Sequence, residues 1–177
     1  MARADDSSTS RDSDDAVGDA LDLLTRDHHL AQGLFAAFEQ AAEQQLDPLA
    51  RRLCKLLRVH AQIEEEIFYP VTRRAIQDDI LIDEAQREHE ELERTIARVE
   101  SMTSDHAEFR DAVALLREQT AQHIREEETH IFAQLRASGV NLVSLGRALV
   151  ERRDTLLDTL GLHIDDEVGV ANLRGVQ

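Results

Sequence analysis

The sequence is poor in the residues that define several common classes of protein. Its 177 residues include a single cysteine (Cys54), no tryptophan, two prolines and seven glycines. One cysteine cannot form an internal disulfide, which favours a reducing, cytoplasmic compartment. No apolar run is long enough to span a bilayer. The sequence also contains no nucleophile elbow, phosphate-cradling glycine loop or zinc-finger cysteine pattern, so the corresponding hydrolases, NTPases and zinc fingers are excluded.

Basic residues are scarce as well, because 36 acidic residues face only 20 basic ones and give a net charge of −16. Such a surface repels phosphate backbones and anionic lipids, so we expect neither nucleic acid nor a membrane surface as a partner. The abundant residues are Ala, Leu, Glu, Arg and Gln, which favour helix. The length suggests one domain with a substantial hydrophobic core.

The apolar pattern predicts an all-α protein. Residues 1–15 are rich in Ser and Asp and predict a disordered acidic tail that is neither a signal nor a transit peptide. Apolar residues recur with a period of about 3.6 in five segments: residues 16–45, 48–77, 81–102, 106–137 and 142–160. Asp47-Pro48 predicts the start of the second helix, and Pro70 predicts a kink or an end near Tyr69.

Short connections between these segments predict antiparallel neighbours. We therefore expect an up-down-up-down four-helix bundle over residues 16–137. The region 138–162 should supply an additional C-terminal helix that packs on the bundle, and 163–177 should form a tail.

Polar residues interrupt the apolar stripe of each bundle helix, and they do so in an inexact duplication. The first two helices contain His28 and then His60-x-x-x-Glu64. The next two contain His89 and then His123-x-x-x-Glu127. A spacing of four places the histidine and the glutamate on one helix face. We expect all six side chains to point inward in one layer of the bundle.

A buried layer of imidazoles and carboxylates is costly unless another group satisfies it. Four neutral imidazoles and two carboxylates suit iron, manganese or zinc better than calcium or magnesium. Two carboxylates among four histidines suggest two metal ions bridged by Glu64 and Glu127, with a position open to a small ligand. The alternative is a buried His–Glu hydrogen-bond network without metal.

The stretches that carry this pattern resemble the hemerythrin-like, or HHE cation-binding, family. They are LLTRDHHLAQGLFAAFE, LLRVHAQIEEEIFYP, EAQREHEELERTIARVE and HIREEETHIF. The similarity covers about residues 18–137, and the fifth helix also resembles the segment that follows in bacterial members of the family. It implies an Fe–O–Fe di-iron centre whose ligands are His28, His60, Glu64, His89, His123 and Glu127.

Some positions depart from the family pattern. Oxygen-carrying hemerythrins have a further histidine where this chain has Glu93, which could be a seventh ligand or a solvated charge. Tyr69 could approach a metal, although core packing is the alternative. Glu128 would replace Glu127 if the helix register shifted by one residue, and Glu65 should be a solvated neighbour.

These features predict a di-iron protein that binds dioxygen, nitric oxide or hydrogen peroxide for sensing or for protection against oxidative or nitrosative stress. Loss of the extra histidine favours peroxide or nitric oxide chemistry, or iron sensing, over reversible oxygen carriage. The alternatives are an enzyme that degrades peroxide, a protein for iron-centre repair or iron handling, and a metal-free helical interaction module. The sequence does not identify a protein partner.

Overall fold

The computed structural model describes residues 18–162, which form five helices and no strand. The predicted all-α fold with a fifth helix is confirmed. The tails predicted at 1–15 and 163–177 lie outside the described residues.

The helices follow one another through short connections. α1 is Ala20–Gln40, α3 is Asp79–Glu100 and α5 is Leu142–Thr159. α2 has three consecutive parts, which are Glu43–Ile63, a π-helical turn at Glu64–Phe68, and Tyr69–Ile76. α4 is built in the same way from Phe109–Glu126, a π-helical turn at Glu127–Ile131, and Phe132–Ala137.

The first connection differs from the prediction. α1 ends at Gln40 rather than near residue 45, and α2 begins at Glu43 rather than at Asp47-Pro48. The side chain of Gln45 accepts the backbone N–H of Ala42 at 3.2 Å and so caps the helix earlier. Asp47 does not cap α2, because its carboxylate binds the N–H and hydroxyl of Ser104 in the α3–α4 loop at 3.0 and 2.6 Å. Pro48 therefore lies inside the helix, where its missing N–H forfeits one backbone hydrogen bond.

The two π-helical turns were not predicted. In each, a backbone N–H bonds five residues back, from Tyr69 to the carbonyl of Glu64 and from Phe132 to the carbonyl of Glu127. Pro70 follows the first turn without ending α2, and Ala133 occupies the equivalent place after the second. Proline is therefore not the common cause. Such turns insert one residue into a helix and occur often at functional sites; here both begin at a predicted ligand.

The core consists of two apolar clusters, one at each end of the bundle. One cluster draws on residues such as Phe35, Leu53, Ile96 and Leu116. The other draws on residues such as Leu24, Ile63, Phe68 and Leu135. Along every bundle helix, the predicted histidine lies between residues of the two clusters. A polar layer thus separates two halves of the core.

α5 packs against α1 and α2 and contributes Leu145 and Leu149 to the second cluster. Gly146 makes the close approach possible. A Cβ atom there would lie 2.9 Å from the backbone nitrogen of Ala20 and 3.0 Å from the carbonyl carbon of Asp19. None of the helices within residues 18–162 is long and apolar enough to cross a membrane.

Candidate metal centre

Each bundle helix places one histidine in the polar layer, and the two π-helical turns each add a glutamate. His28, His89 and His123 are buried, as are Glu64 and Glu127. His60 is the most accessible of the six, with 12% of its side chain exposed. The structure therefore brings together all six side chains that the motif singled out.

The six residues form two groups that share one carboxylate. His28, His60, Glu64 and Glu127 offer ligand atoms that all lie within 4.8 Å of one another, and Glu64, His89 and His123 do the same. Glu64 belongs to both groups, whereas Glu127 belongs only to the first. Bridging by Glu64 and Glu127 stays a prediction, as does the assignment of each residue as a ligand.

The inner atoms of this layer are poorly satisfied by the protein. All four carboxylate oxygens of Glu64 and Glu127 are buried without a hydrogen-bond partner. Nε2 of His60 and Nε2 of His89 lie 3.2 and 3.3 Å from the same oxygen of Glu64. Nε2 of His28 and Nε2 of His60 are 3.2 Å apart, and the same distance separates Nε2 of His89 from that of His123.

This geometry fits a cation and fits a hydrogen-bond network poorly. A buried carboxylate oxygen without a partner costs several kcal/mol in protein interiors. Two imidazole nitrogens that face each other can form at most one hydrogen bond between them. Metal ions among these nitrogens and oxygens would satisfy all of them, so the donor set fits iron, manganese or zinc.

The outer nitrogens of the histidines face a second set of carboxylates, which sequence reasoning missed. Nδ1 of His28 lies 2.8 Å from Glu128, Nδ1 of His89 lies 3.1 Å from Glu65, and Nδ1 of His123 lies 3.0 Å from Glu88. A carboxylate acceptor keeps the proton on Nδ1 and turns the lone pair of Nε2 towards the centre, as in known metal sites. Glu65 is solvent-exposed, as expected, but its carboxylate also reaches Nδ1 of His89.

These outer partners had a signal in the sequence. Asp27 and Glu88 each precede the lone histidine of their hairpin, and Glu65 and Glu128 each follow the glutamate of the His-x-x-x-Glu motif. The duplication therefore extends one residue beyond the predicted ligands. It could not be recognised as functional without the distances, because exposed glutamates also surround the motifs.

His60 is the exception among the four histidines. Its Nδ1 faces Oδ2 of Asp27 at 3.7 Å, which is too long for a hydrogen bond, and no other partner satisfies it. Oδ1 of Asp27 instead accepts a hydrogen bond from Nη1 of Arg153 in α5 at 2.9 Å. Three of the four histidines therefore have a carboxylate within hydrogen-bond range of Nδ1, and His60 does not.

Burial and neighbouring charges move the protonation equilibria of the layer in opposite directions. Burial lowers the pKa of His60 to about 4, so this imidazole is neutral at pH 7. Burial alone would lower the pKa of His28, but Glu127, Glu64 and Glu128 outweigh it and raise the pKa to about 9. Burial and the charge of Glu127 raise the pKa of Glu64 well above its usual value. Protons and metal ions therefore compete for this layer.

The three remaining candidates, Tyr69, Glu128 and Glu93, have distinct places. The buried hydroxyl of Tyr69 lies 3.3 Å from Nε2 of His89, at the edge of the second group. Glu128 sits on the outer side of His28, so the register is the one that turns Glu127 inward. The structure does not bring Glu93 to the centre, because its carboxylate pairs with Arg58 at 2.8 Å and is 55% exposed.

A cavity of about 480 Å³ leads from the surface to the histidines between α2, α3 and α4. His60, His89 and His123 form part of its wall, and aliphatic residues such as Leu92 and Ile124 form another part. Acidic and basic side chains, including Glu93 and Arg58, complete the lining. The centre is thus buried within the bundle but accessible from one side.

Fold and site together define a class of protein: a helical bundle whose interior presents histidine and glutamate side chains suited to a cation. The family described as Hemerythrin HHE cation binding domain matches residues 19–135 of the sequence. Because this match covers well over half of the chain, the protein belongs to that family.

A solved structure supports the fold. The chain resembles a Hemerythrin HHE cation binding domain-containing protein from Mycobacterium kansasii with a TM-score of 0.71 and 19% sequence identity. The likeness covers 80% of this chain and 89% of that one. At this identity it carries information about the fold alone.

A longer protein shares part of the sequence. A DNA nickase from Nostoc sp. (strain PCC 7120 / SAG 25.82 / UTEX 2576) is 28% identical over 116 residues, which are 65% of this chain and 33% of that protein. The chain therefore spans about a third of the length of the curated relative that it matches.

Proposed function

We propose that this protein is a non-haem di-iron protein that binds dioxygen, nitric oxide or hydrogen peroxide for sensing or for protection against oxidative or nitrosative stress. The observation that carries the proposal is the set of four buried carboxylate oxygens on Glu64 and Glu127 that have no hydrogen-bond partner. Two iron ions, when bound, would supply redox-active positions open to such ligands. Manganese and zinc are the alternative metals.

The residues of this chain would then perform separable tasks. His28, His60, His89 and His123 would hold the ions together with Glu64 and Glu127. Glu128, Glu65 and Glu88 would keep the proton on the outer nitrogen of three of these histidines. Burial raises the pKa of Tyr69 well above its usual value, so its hydroxyl keeps its proton and can donate a hydrogen bond towards a small ligand near His89.

Metal content tests the proposal directly. The 177-residue protein purified without added metal should contain about two iron ions per chain and show the absorption of an oxo-bridged iron pair. His60→Ala and Glu127→Ala should lower the iron content sharply. His106→Ala is the matched control, because His106 is exposed and accepts a hydrogen bond from the backbone N–H of Glu108, far from the six predicted ligands in the sequence. Equal loss in all three variants, or wild-type protein without metal, would contradict the proposal.

The size of the cavity favours a second candidate function. A cavity of about 480 Å³ bordered by three of the histidines has room for a substrate and for exchange with solvent. This supports an enzyme that degrades hydrogen peroxide at the same centre. Oxygen release from added hydrogen peroxide by the iron-loaded protein, absent in the Glu127→Ala variant, would favour the enzyme over the binding protein.

The charge of the chain argues against a role in DNA cleavage like that in the name of the longer relative. The net charge of −16 opposes binding to a phosphate backbone. We propose instead that its partners are small molecules, in the cytoplasm, and that DNA is not among them. A DNA-binding titration at low salt should therefore give no saturable binding.

A further inference from the structure

The fifth helix contacts the metal centre through one chain of charged groups. Arg153 of α5 donates from Nη1 to Oδ1 of Asp27 at 2.9 Å, and Oδ2 of the same carboxylate faces Nδ1 of His60 at 3.7 Å. The Arg153 and Asp27 side chains are only 19% and 16% exposed, so solvent screens this contact weakly.

We propose that Arg153 is a positioning residue that draws Asp27 away from His60 and thereby loosens the hold of the first ligand group on its metal ion. The first ligand group is the set formed by His28, His60, Glu64 and Glu127. The inference rests on the proposed function, because it concerns the affinity of the same centre.

The other three histidines of the polar layer provide a comparison for the contact between Asp27 and His60. Each has a carboxylate oxygen 2.8–3.1 Å from its Nδ1. The closest counterpart is His123, whose partner Glu88 precedes His89 just as Asp27 precedes His28. Glu88 reaches His123 at 3.0 Å, whereas Asp27 stops at 3.7 Å from His60. Two features set Asp27 apart from the glutamates at the other three histidines: its side chain is one methylene shorter, and its carboxylate also binds Arg153.

The surroundings leave room for Asp27 to close on His60. A small cavity of about 30 Å³ is lined by Asp27, His60 and Arg153, with aliphatic residues of α1, α2 and α5 around them. The carboxylate of Asp27 therefore has free space beside it. The hydrogen bond from Arg153 is the described contact that holds Oδ1 on the side of α5.

Removal of Arg153 should act on the ion through two effects of the same sign. Asp27 would accept the Nδ1 proton of His60, which strengthens Nε2 as a ligand. The guanidinium charge would also be lost from the neighbourhood of a cation. Both effects favour tighter binding in the first ligand group and leave His89 and His123 unaffected.

Chelator competition on the iron-loaded full-length protein tests this inference. In the wild type we expect iron to leave in two phases, with the faster phase from the first ligand group. Arg153→Met should slow the faster phase about ten-fold and leave the slower phase unchanged. Arg153→Gln should behave alike and guards against a folding defect in one variant. Arg153→Lys, which can still pair with Asp27, should restore the wild-type rate.

The neighbouring arginine provides a matched control. Arg152 lies on the same helix and pairs with Glu66 at 2.6 Å on the surface. Arg152→Met removes the same charge from α5 without touching Asp27, so its two release rates should equal those of the wild type. An equal slowing in Arg152→Met would overturn the inference, and so would an unchanged or faster release in Arg153→Met.

A double variant separates positioning from charge. If Arg153 acts through Asp27, the gain of Arg153→Met should shrink to the part that is due to the lost charge when Asp27→Asn is also present. If the full gain persists, Arg153 acts by charge alone and the positioning role is wrong. Wild-type protein without iron would refute the proposed function itself; iron-bound wild type with identical release in Arg153→Met would refute only this inference.

Discussion

The two helical hairpins carry the same motif but do not build the same half-site. The α1–α2 hairpin supplies His28, His60 and Glu64, and the α3–α4 hairpin supplies His89, His123 and Glu127. Glu64 reaches both ligand groups, whereas Glu127 reaches only one. The fifth helix also packs on the first hairpin and places Arg153 beside Asp27. The repeated motif therefore brings the six side chains together. Residues outside the repeat, such as Arg153, make the surroundings of the two halves different.

The largest expected difference between the halves concerns the two glutamates. Glu64→Gln should abolish binding of both ions, because this carboxylate belongs to both groups. Glu127→Gln should leave roughly one ion per chain, held mainly by His89, His123 and Glu64. Metal analysis after exhaustive dialysis measures both. Equal losses would show that the two carboxylates bridge symmetrically after all.

The outer carboxylate of the second half should matter nearly as much. Glu88→Ala removes the acceptor that fixes His123 and should weaken one metal ion about 10–100-fold. Glu90→Ala, two residues away on the exposed face of α3, is the control and should leave affinity unchanged. Competition with a chelator of known affinity gives both values. A small effect of Glu88→Ala would mean that the orientation of His123 is set by packing alone.

The attachment of α5 can be weakened without touching any ionisable group. Gly146→Ala places a methyl group against the backbone of Asp19 and Ala20 and should lower the free energy of unfolding by about 1–3 kcal/mol. Gly33→Ala is the matched control, since the added Cβ would meet nothing within 4 Å beyond its chain neighbours and the backbone of its own helix, and α1 should gain up to about 1 kcal/mol. Urea unfolding of the metal-free protein measures both changes. Equal effects would mean that α5 docks less tightly than its geometry implies.

The last prediction concerns the pH dependence of stability at Cys54, which lies in α2 and therefore reports on the first hairpin alone. Burial, together with Glu100, raises the pKa of this thiol to about 12. The protonated thiol therefore contributes its full stability below the unfolded pKa of roughly 8.5, and that contribution falls as the pH rises towards the folded pKa. At pH 8 a thiol reagent should label the folded protein far more slowly than the unfolded chain. Rapid labelling of the folded protein would show that the α1–α2 hairpin opens locally.

The sequence predicts the fold class and the six inward-facing residues well because both rest on periodicity. A histidine inside an apolar stripe, followed four residues later by glutamate, fixes a helix face without any knowledge of the neighbours. The same reasoning does not predict the π-helical turns, because they share no helix-breaking residue. A proline follows shortly after Glu64–Phe68, but none follows Glu127–Ile131. This reasoning also fails for the Asp27–Arg153 pair because 126 residues separate the partners in the chain.

Local rules also conflicted at the start of α2. Asp47-Pro48 is a strong helix-start pattern, but Asp47 is used by Ser104 in a distant loop and Gln45 caps the helix instead. A side chain that binds a distant loop cannot also cap a helix, and a local sequence pattern contains no information about such a distant partner.

The polar layer between the two apolar clusters also fixes the axial alignment of the helices. If one bundle helix slid by a single turn, about 5.4 Å, its imidazole would enter an aliphatic cluster and an aliphatic side chain would face Glu64 or Glu127. Ordinary apolar cores tolerate such sliding because one leucine replaces another. Here a displaced helix would bury polar side chains against hydrocarbon, so the polar layer disfavours every shifted alignment, with or without a cation.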